Sequence, residues 1–368
     1  MKNIAFYLPQ YHTIPENDKW WGKGFTEWTN VKASKPQFWG HKQPEVPLNN
    51  NYYNLLNADT QIWQAKLAKE YGVDAFCYYH YWFEGKLLLE KTIENMLNNK
   101  DIDIPFCICW ANETWARTWD GQEKSILIKQ NYNEDKKMWK KHFMYLLKFF
   151  KDDRYLLHEG KPMLLIYKPN LITNCREMIK YWRQLACDNG LPGLYIGYQH
   201  HSSFDYNMDE LGFDFGVEFE PMYTVREINI EKKQSFGMIK RVITHPKWLY
   251  RKLKEKLLNQ PCVYYYDEIW KRINKRIPEG DKIMPGAFTN WDNTPRRGNK
   301  STVFFGSNPT KFSKYYLKRI ERAKKIYHAD YIFINAWNEW AEGAHLEPDE
   351  VNKYKYLEAI KNGKNKVK

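Results

Sequence analysis

Two glutamates near the C-terminus, Glu339 and Glu342, stand beside large aromatic rings. They lie in the run NAWNEWAEG at residues 335–343, which also contains Trp337 and Trp340. Cleavage of a glycosidic bond needs one carboxyl group that stays protonated and a second that is ionised. Burial against a ring raises the pKa of a carboxyl group, whereas hydrogen bonds or solvent keep the pKa low. We therefore predict that Glu339 and Glu342 form a catalytic pair acting on one bound sugar.

The sequence leaves other roles open for these acids. Glu342 could instead cap the helix that follows it. Glu113, in the run WANETW at residues 110–115, could be a catalytic acid on the facing side of the site, although a role in sugar binding is favoured. Asn338 is expected to fix a sugar hydroxyl or to orient Glu339.

Eight apolar runs could bring these acids into one cavity. They alternate with stretches of helical spacing, which is typical of parallel strands buried on both faces. Eight such units closing on themselves form a (β/α)8 TIM barrel, of class α/β. The predicted strands are 4–12, 73–82, 104–113, 162–168, 194–200, 213–221, 283–291 and 331–339, and the predicted helices include 59–70, 87–99, 134–151, 174–189 and 310–327. We predict one catalytic domain over residues 1–368, with an insertion at about 222–282 over the barrel mouth.

Polar and aromatic residues collect at the C-terminal ends of the predicted strands and in the loop before the second. In a parallel barrel these ends meet on one face, where the active sites of this architecture are built. The predicted substrate-binding residues are Tyr11, His12, Glu27, Trp28, Tyr79, His80, Trp110, Asn112, Glu113, Trp115, Glu218, Glu220, Trp291, Asp292, Asn338 and Trp340. Packing or ion pairing is the alternative for several of them. Glu27 could pair with Lys23. Asp292, Arg296 and Arg297 could bind an acidic sugar or a phosphate, or they could form an ion pair that organises their loop.

The amino-acid composition indicates a partner that stacks on aromatic side chains and carries negative charge. Aromatic residues make up 17% of the chain, and such rings stack on sugars or bases. The formal net charge is +13, which suggests an anionic partner, although solvated lysine-rich helix faces explain much of it. No RNA-binding or DNA-binding fold signature is present, so nucleic acid is not a predicted partner.

Other classes of protein lack support in the sequence. No nucleotide-binding loop and no zinc-protease motif occurs, and we predict neither a metal ion nor a cofactor. No apolar run is long enough to span a bilayer, and the first residues lead into a predicted strand without a signal-peptide core. We therefore predict a cytoplasmic protein.

Six motifs distributed along the chain carry a family resemblance. They are AFYLPQYH at 5–12, WWGKGFTEWTNV at 20–31, GVDAFCYYHYWF at 72–83, CWANETWARTWDG at 109–121, TNWDNTPRRG at 289–298 and NAWNEWAEG at 335–343. Together they resemble the WbsX family of bacterial polysaccharide-cluster proteins, which is similar to glycoside hydrolase family 99. The resemblance implies a (β/α)8 barrel acting on glycans.

The resemblance also implies a mechanism that retains anomeric configuration. In the hydrolase family the matching element holds both catalytic glutamates. Glu339 would act as a base on the 2-hydroxyl of the sugar, giving a 1,2-anhydro intermediate, and Glu342 would act first as acid and then as base. The elements FTEWTNV and WANETW belong to the WbsX branch and not to the mannosidases, so the identity of the sugar does not transfer.

The expected substrate is an oligosaccharide or polysaccharide of a bacterial surface, of the capsule or O-antigen type. An anionic or lipid-linked glycan and peripheral contact with a membrane are further expectations. A glycosyltransferase that uses an activated sugar donor is the alternative, because WbsX proteins often carry that description.

Overall fold

A computed structural model describes residues 1–117, 122–132, 135–201, 208–234 and 260–366. The strands are β1 (Lys2–Tyr7), β2 (Ala75–Phe83), β3 (Lys86–Leu88), β4 (Phe106–Trp110), β5 (Trp115–Arg117), β6 (Gln122–Ile128), β7 (Leu157–His158), β8 (Lys161–Ile166), β9 (Tyr195–His200), β10 (Phe215–Glu218), β11 (Cys262–Tyr265), β12 (Ile283–Met284), β13 (Gly286–Phe288), β14 (Thr302–Phe305), β15 (Tyr331–Asn335), β16 (Asn338–Glu339) and β17 (Ala344–His345). The helices are α1 (Pro15–Trp21), α2 (Glu27–Ala33), α3 (Ala58–Glu70), α4 (Lys91–Asn98), α5 (Lys136–Phe150), α6 (Cys175–Asp188), α7 (Met208–Leu211), α8 (Met222–Gln234), α9 (Tyr266–Ile273), α10 (Thr294–Arg297), α11 (Pro309–Lys325) and α12 (Lys355–Lys366).

The main sheet is a nearly closed parallel barrel. Strands β1, β2, β4, β8, β9 and β10 are parallel neighbours in that order. Strand β10 then pairs with β12, and β13 pairs with β15, which returns to β1. Only Pro285 separates β12 from β13, so one stretch of chain bridges the two sides of the sheet. The predicted (β/α)8 fold class is confirmed.

Burial explains why the apolar runs became the inner strands. Every residue of β2, β4 and β15 is buried, because one face of each strand packs inside the barrel and the other packs under the helices. Helix α11 has favourable signals at both ends. Its N-cap Asn308 accepts a hydrogen bond from the Lys311 N–H, and Arg322, Lys324 and Lys325 in its last turn complement the helix dipole.

Most predicted boundaries differ from the structure by a few residues, and two of these differences have a visible cause. The predicted helix 87–99 begins only at Lys91, because residues 86–88 pair antiparallel with the end of β2. The predicted strand 4–12 ends at Tyr7, because the side-chain amide of Asn338 forms hydrogen bonds with both the backbone N–H and the backbone carbonyl of Leu8. The Leu8 N–H donates to Asn338 Oδ1 at 2.8 Å, and Asn338 Nδ2 donates to the Leu8 carbonyl at 3.0 Å.

The predicted insertion contains regular elements. Helix α8 begins it, and strand β11 pairs in parallel with β14. Residues 235–259 lie outside the described part of the chain, as do residues 118–121 at the end of the motif CWANETWARTWDG. That the insertion covers the barrel mouth stays a prediction. Within the described ranges, every helix is too short or too polar to cross a bilayer.

Candidate active site

One buried arginine, Arg296, connects three glutamates beyond the C-terminal end of β15. Its Nε donates to Glu27 Oε2 at 3.1 Å, its Nη1 to Glu342 Oε1 at 2.6 Å and its Nη2 to Glu339 Oε2 at 3.0 Å. The guanidinium side chain is only 7% exposed. Hydrogen bonds between ionised partners are stronger than neutral ones. We call these four residues the three-glutamate cluster.

A tight hairpin holds the two C-terminal glutamates of the cluster. Strands β16 and β17 pair antiparallel, and Gly343 lies in the turn between them with φ of +61°. A Cβ atom at Gly343 would lie 3.1 Å from the backbone nitrogen of Asp292, so the close approach requires glycine. The Asp292 N–H donates to the Glu342 carbonyl at 2.6 Å. The loop after β13 therefore fixes the backbone that carries Glu342.

The third glutamate arrives from the other end of the chain, on the first turn of α2. The Glu27 N–H donates to the Gln10 carbonyl beyond β1 at 3.3 Å. The neighbouring Trp28 donates from its indole nitrogen to the Tyr53 carbonyl at 2.8 Å. Its ring lies 5.6 Å from the ring of Trp340, centroid to centroid. Aromatic packing thus holds α2 against the hairpin.

The three buried carboxyl groups all contact the single positive charge of Arg296. Burial raises the pKa of Glu339 to about 8, Arg296 opposes the rise, and the negative charges of Glu342 and Glu27 add to it. Burial also raises the pKa of Glu342 and the pKa of Glu27, against the effect of Arg296. Like charges close together disfavour ionisation of all three groups. The cluster can therefore hold a proton near neutral pH, as general acid–base chemistry requires.

Several predicted ligands support the hairpin. The Tyr11 hydroxyl donates to the Asn338 carbonyl at 2.6 Å and accepts from the Trp340 N–H at 3.1 Å. The Asn338 amide holds Leu8, as described above. The Trp340 indole N–H donates to Glu347 Oε2 at 2.7 Å. These side chains position the glutamates, and their direct contact with a sugar stays a prediction.

Asp292 is occupied by neighbours in its own loop and the loop after α2. Its Oδ2 accepts from His41 Nε2 at 2.7 Å and from Gln43 Nε2 at 2.6 Å. Its Oδ1 accepts from the Thr294 N–H at 3.0 Å. The predicted alternative, an ion pair of Asp292 with Arg296, does not occur, since among the described residues the three glutamates are the acids paired with that arginine. The predicted ligand Trp291 is buried, and its indole nitrogen has no hydrogen-bond partner in the described chain.

Strand alternation separates the predicted ligands of β2. Successive side chains of a strand point to opposite faces. After burial, the charge of Glu339 is the largest influence raising the pKa of Tyr81, and the same charge contributes to the raised pKa of Tyr79. His80, between them, faces α5 instead, where its Nε2 lies 3.0 Å from His142 Nε2.

Two more predicted ligands contact residues outside the three-glutamate cluster. The ring of Trp110 lies 4.7 Å from that of His142 and 6.1 Å from that of Trp182, between β4 and helices α5 and α6. His12 is buried, and its Nδ1 lies 3.3 Å from Thr92 Oγ1. Burial lowers the pKa of His12 to about 4, so its ring is neutral near pH 7.

The predicted ligands that follow β4 contact the chain that follows β8. Asn112 accepts from the Lys168 N–H and donates to the Lys168 carbonyl, both at 2.7 Å. Glu113 forms an ion pair with the Lys168 ammonium. The ring of Trp115 lies 5.0 Å from that of Tyr81, on the cluster side of β2. Glu113 thus lies at the ends of β4 and β8, on the other side of the sheet order from β15, and a catalytic role for it stays a prediction.

Glu218 and Glu220 contact a different pair of arginines. Arg276 donates from Nη1 to Glu218 at 3.2 Å and to Glu220 at 2.5 Å, and Arg319 forms a second ion pair with Glu218. The Thr224 hydroxyl donates to Glu220 at 2.9 Å. We call Glu218, Glu220, Arg276 and Arg319 the paired cluster. The described structure does not bring these two acids to Arg296.

Sequence reasoning left three residues out of the predicted site. Arg296 was considered only as a loop ion pair or an anion ligand. Tyr81, at the C-terminal end of its predicted strand, and Tyr167 were not among the predicted ligands, although the charges of Glu339 and of Glu342, respectively, contribute to raising their pKa values after burial. The signal for Tyr81 was strand alternation, since it lies two positions after Tyr79. No local signal in the sequence joins Arg296 to residues 269, 46 and 43 positions away.

Comparison with known proteins shows a matching family profile, related sequences and a shared fold. The sequence profile of the family described as "Glycosyltransferase WbsX" matches residues 3–360. The protein WxcX of Xanthomonas campestris pv. campestris is 37% identical over 362 residues, which make up 97% of this chain and 49% of WxcX. The chain therefore spans about half the length of the curated relatives it matches.

Among solved structures, the family 99 endo-alpha-mannosidase of Bacteroides thetaiotaomicron is similar with a TM-score of 0.59. The similarity covers 99% of this chain and 97% of the mannosidase, at 13% sequence identity. A glycoside hydrolase-like protein gives the same TM-score over 98% of this chain and 93% of its own, at 12% identity. At these identities the likeness concerns the fold.

Proposed function

The chain belongs to the WbsX glycosyltransferase family, and from that premise we propose that it cleaves or remodels a glycosidic bond in a bacterial surface polysaccharide. Family membership and the hydrolase-like barrel support the general class, a carbohydrate-active enzyme. One observation carries the finer proposal. Glu339 and Glu342 are both hydrogen-bonded to a single buried guanidinium, and each has a raised pKa.

The proposed chemistry divides proton transfer between the two glutamates. Ionised Glu339 takes the proton of the sugar 2-hydroxyl, and O2 attacks C1 to form a 1,2-anhydro sugar. The bond from C1 to the leaving oxygen breaks as Glu342 donates a proton to that oxygen. Water then attacks C1 and gives a proton to Glu342, while Glu339 returns its proton to O2. Both acids end in their starting states, and two inversions give net retention.

Exposure of the two acids supports this division of roles. The Glu342 side chain is 19% exposed, against 8% for Glu339 and 0% for Glu27. The acid that protonates a leaving group and later activates water needs access to solvent and substrate. The base that contacts only the 2-hydroxyl can lie deeper. A pKa of about 8 for Glu339 would make its ionised form a stronger base than an ordinary carboxylate.

We propose that Arg296 positions both catalytic groups and that Glu27 adjusts their protonation. Arg296 fixes one oxygen of each catalytic carboxyl group, so it constrains their separation. Glu27 adds negative charge, which contributes to raising the pKa of Glu339 and the pKa of Glu342. Without Glu27, Arg296 would hold both acids in the ionised form more strongly.

Transfer from an activated sugar donor is the second candidate, favoured by the description of the family as glycosyltransferases. In that reaction one glutamate would serve as base toward an acceptor hydroxyl. Dependence on a donor separates the two candidates. Release of reducing ends from a polysaccharide without added donor supports cleavage, whereas saturable turnover of a nucleotide sugar or a polyprenyl-phosphate sugar supports transfer.

The test of the catalytic pair is substitution of each acid by its amide. Glu339→Gln and Glu342→Gln should each lower kcat by about 100-fold to 10,000-fold, because each removes one proton-transfer group. Affinity for the glycan, measured by calorimetry, should change little. Glu350→Gln is the matched control, since Glu350 is a surface acid paired with Lys353. Full turnover by either amide variant would contradict the assignment.

A further inference from the structure

A pocket opens at the ends of β4, β8 and β9 and beside α8. Its volume is about 450 Å³, and the residues that matter for its chemistry are Glu113, Tyr167, Lys168, Gln199, His201 and Arg226. Strand β8 lies four positions from β15 around the barrel, so this pocket is across the mouth from the three-glutamate cluster. We call it the cross-barrel pocket.

Positive charge dominates the cross-barrel pocket. The one carboxylate among its described lining residues, Glu113, is already paired with Lys168. Arg226 is exposed, and within the described ranges it forms no ion pair. Both cations act on His201, since burial first and then Arg226 and Lys168 lower its pKa. His201 is therefore neutral near pH 7, and the charge left over is that of Arg226.

The pocket also has features that suit a sugar ring. Gln199 is buried, and its Nε2 donates to the Tyr79 hydroxyl at 3.2 Å. The Gln199 Oε1 atom has no hydrogen-bond partner among the described residues, so it is an acceptor that a ligand hydroxyl could satisfy. Tyr167 supplies an aromatic ring, which lies 4.8 Å from the ring of His201.

Tyr167 connects the cross-barrel pocket to the proposed catalytic centre. After burial, the charges of Glu113 and then Glu342 raise its pKa, so the phenol lies within electrostatic reach of both sides. Its ring is also 6.3 Å from that of Tyr79, whose pKa responds to Glu339. Tyr167 therefore lines the pocket and also responds to the charge of Glu342.

We propose that the cross-barrel pocket binds an acidic sugar residue of the substrate, with Arg226 paired to the sugar carboxylate and Gln199 to a hydroxyl. This inference rests on the proposed function, because it names the class of glycan presented to Glu342. A bare anion would use only the cations of the pocket. A neutral sugar would leave the charge of Arg226 unused, and an acidic sugar uses both features.

Binding to the Glu342→Gln variant tests the inference without turnover. The probes are an oligosaccharide that contains glucuronate and the same oligosaccharide with glucose in place of glucuronate. The acidic probe should bind at least tenfold more tightly, and Arg226→Gln should remove that preference. Arg176→Gln is the matched control, because Arg176 is an exposed arginine of α6 outside the pocket. Equal affinity for both probes, or a preference that survives Arg226→Gln, overturns the proposal.

Two further measurements separate the alternatives. Binding of the acidic probe should raise the pKa of His201, followed by NMR, because a carboxylate offsets the nearby cations; an unmoved pKa contradicts the proposal. UDP-glucose is the third probe, and Arg226-dependent binding of it would assign the pocket to a donor diphosphate instead. If the wild-type protein never turns over a glycan yet keeps its acidic preference, the proposed function fails while the pocket stands.

Discussion

The two arginine–glutamate clusters of this barrel differ in the ratio of acids to arginines. In the paired cluster, two buried arginines meet two buried glutamates, with the partly exposed Glu227 as a further partner of Arg276. In the three-glutamate cluster, Arg296 is the one arginine that pairs with the three acids within the described ranges. Both clusters are buried, so burial does not explain why their acids behave differently.

The pKa directions follow the number of arginines at each acid. In the paired cluster Glu220 contacts Arg276 but not Arg319, and burial raises its pKa against the effect of Arg276, with a further rise from the charge of Glu218. Burial alone would raise the pKa of Glu218, but Arg319 and Arg276 outweigh burial and hold this pKa below its usual value. In the three-glutamate cluster the pKa of every glutamate is raised. An acid that contacts two arginines, as Glu218 does, stays ionised and serves stability, whereas acids that share one arginine, as on Arg296, can retain a proton that chemistry can use. We therefore expect substitutions in the paired cluster to lower stability and substitutions in the three-glutamate cluster to change pH dependence.

The largest expected effect is on stability, in the paired cluster. Arg319→Met leaves Glu218 buried beside fewer cations, and breaking a buried ion pair costs about 3–5 kcal/mol of the free energy of unfolding. Urea denaturation measures the loss. Lys318→Met, at an exposed position of the same helix, should change the free energy of unfolding by less than about 0.5 kcal/mol. Equal losses in the two variants would remove the distinction between the clusters.

A smaller effect is expected on the pH dependence of stability, in the three-glutamate cluster. The pKa of Glu339 in the folded chain is about 8, above the value of 4.5 expected when the chain is unfolded. The stability that its proton supplies is complete below pH 4.5 and is lost as the pH rises toward 8. Glu339→Gln abolishes that loss. At pH 8.5 the free energy of unfolding of the variant, relative to that of the wild type, should therefore be about 1–3 kcal/mol higher than it is near pH 5.

Thermal or urea unfolding at several pH values checks this expectation. The two proteins should differ least near pH 5, where Glu339 is protonated in the folded state. Glu350→Gln, at an exposed site, should give a difference that does not grow between pH 6 and pH 8.5. Parallel stability curves for Glu339→Gln and the wild type over that range would show that Glu339 is not held protonated.

The smallest expected effect is a shift in the pH profile of catalysis. Glu27→Gln removes a negative charge that raises the pKa of Glu339 and the pKa of Glu342. The acid limb of kcat/KM should therefore move to lower pH, by less than about one unit. A merely structural role for Glu27 predicts lower activity with an unchanged limb. Movement to higher pH would reverse the proposed sign of its influence.

Periodicity in the sequence was enough to predict the barrel. The predicted strands at 73–82 and 194–200 correspond to β2 and β9, and the predicted helices at 134–151 and 174–189 to α5 and α6. These elements are long and buried, so their apolar pattern is continuous. Boundaries were less accurate where a side chain from elsewhere intervened, as Asn338 does at the end of β1.

Residue types identified candidate residues for the site, but they did not predict which way each side chain points. Glu339 and Glu342 both contact Arg296, because they are neighbours in one short hairpin, and their catalytic roles stay a prediction. His80 and Tyr79 were chosen side by side, although successive residues of a strand face opposite ways. Glu218 and Glu220, like Glu339, are acids at the end of a predicted strand. Their arginine partners lie as many as 101 residues away along the chain.

The sequence by itself determined the alternation of strands and helices and the presence of two acids after the last inner strand. Both are local properties, set by hydrophobic periodicity and by adjacent residue types. Only the tertiary structure decided that Glu27 joins those acids on Arg296 and that Glu218 is neutralised elsewhere. Charge interactions depend on separation and burial in space, and separation along the chain does not fix either quantity.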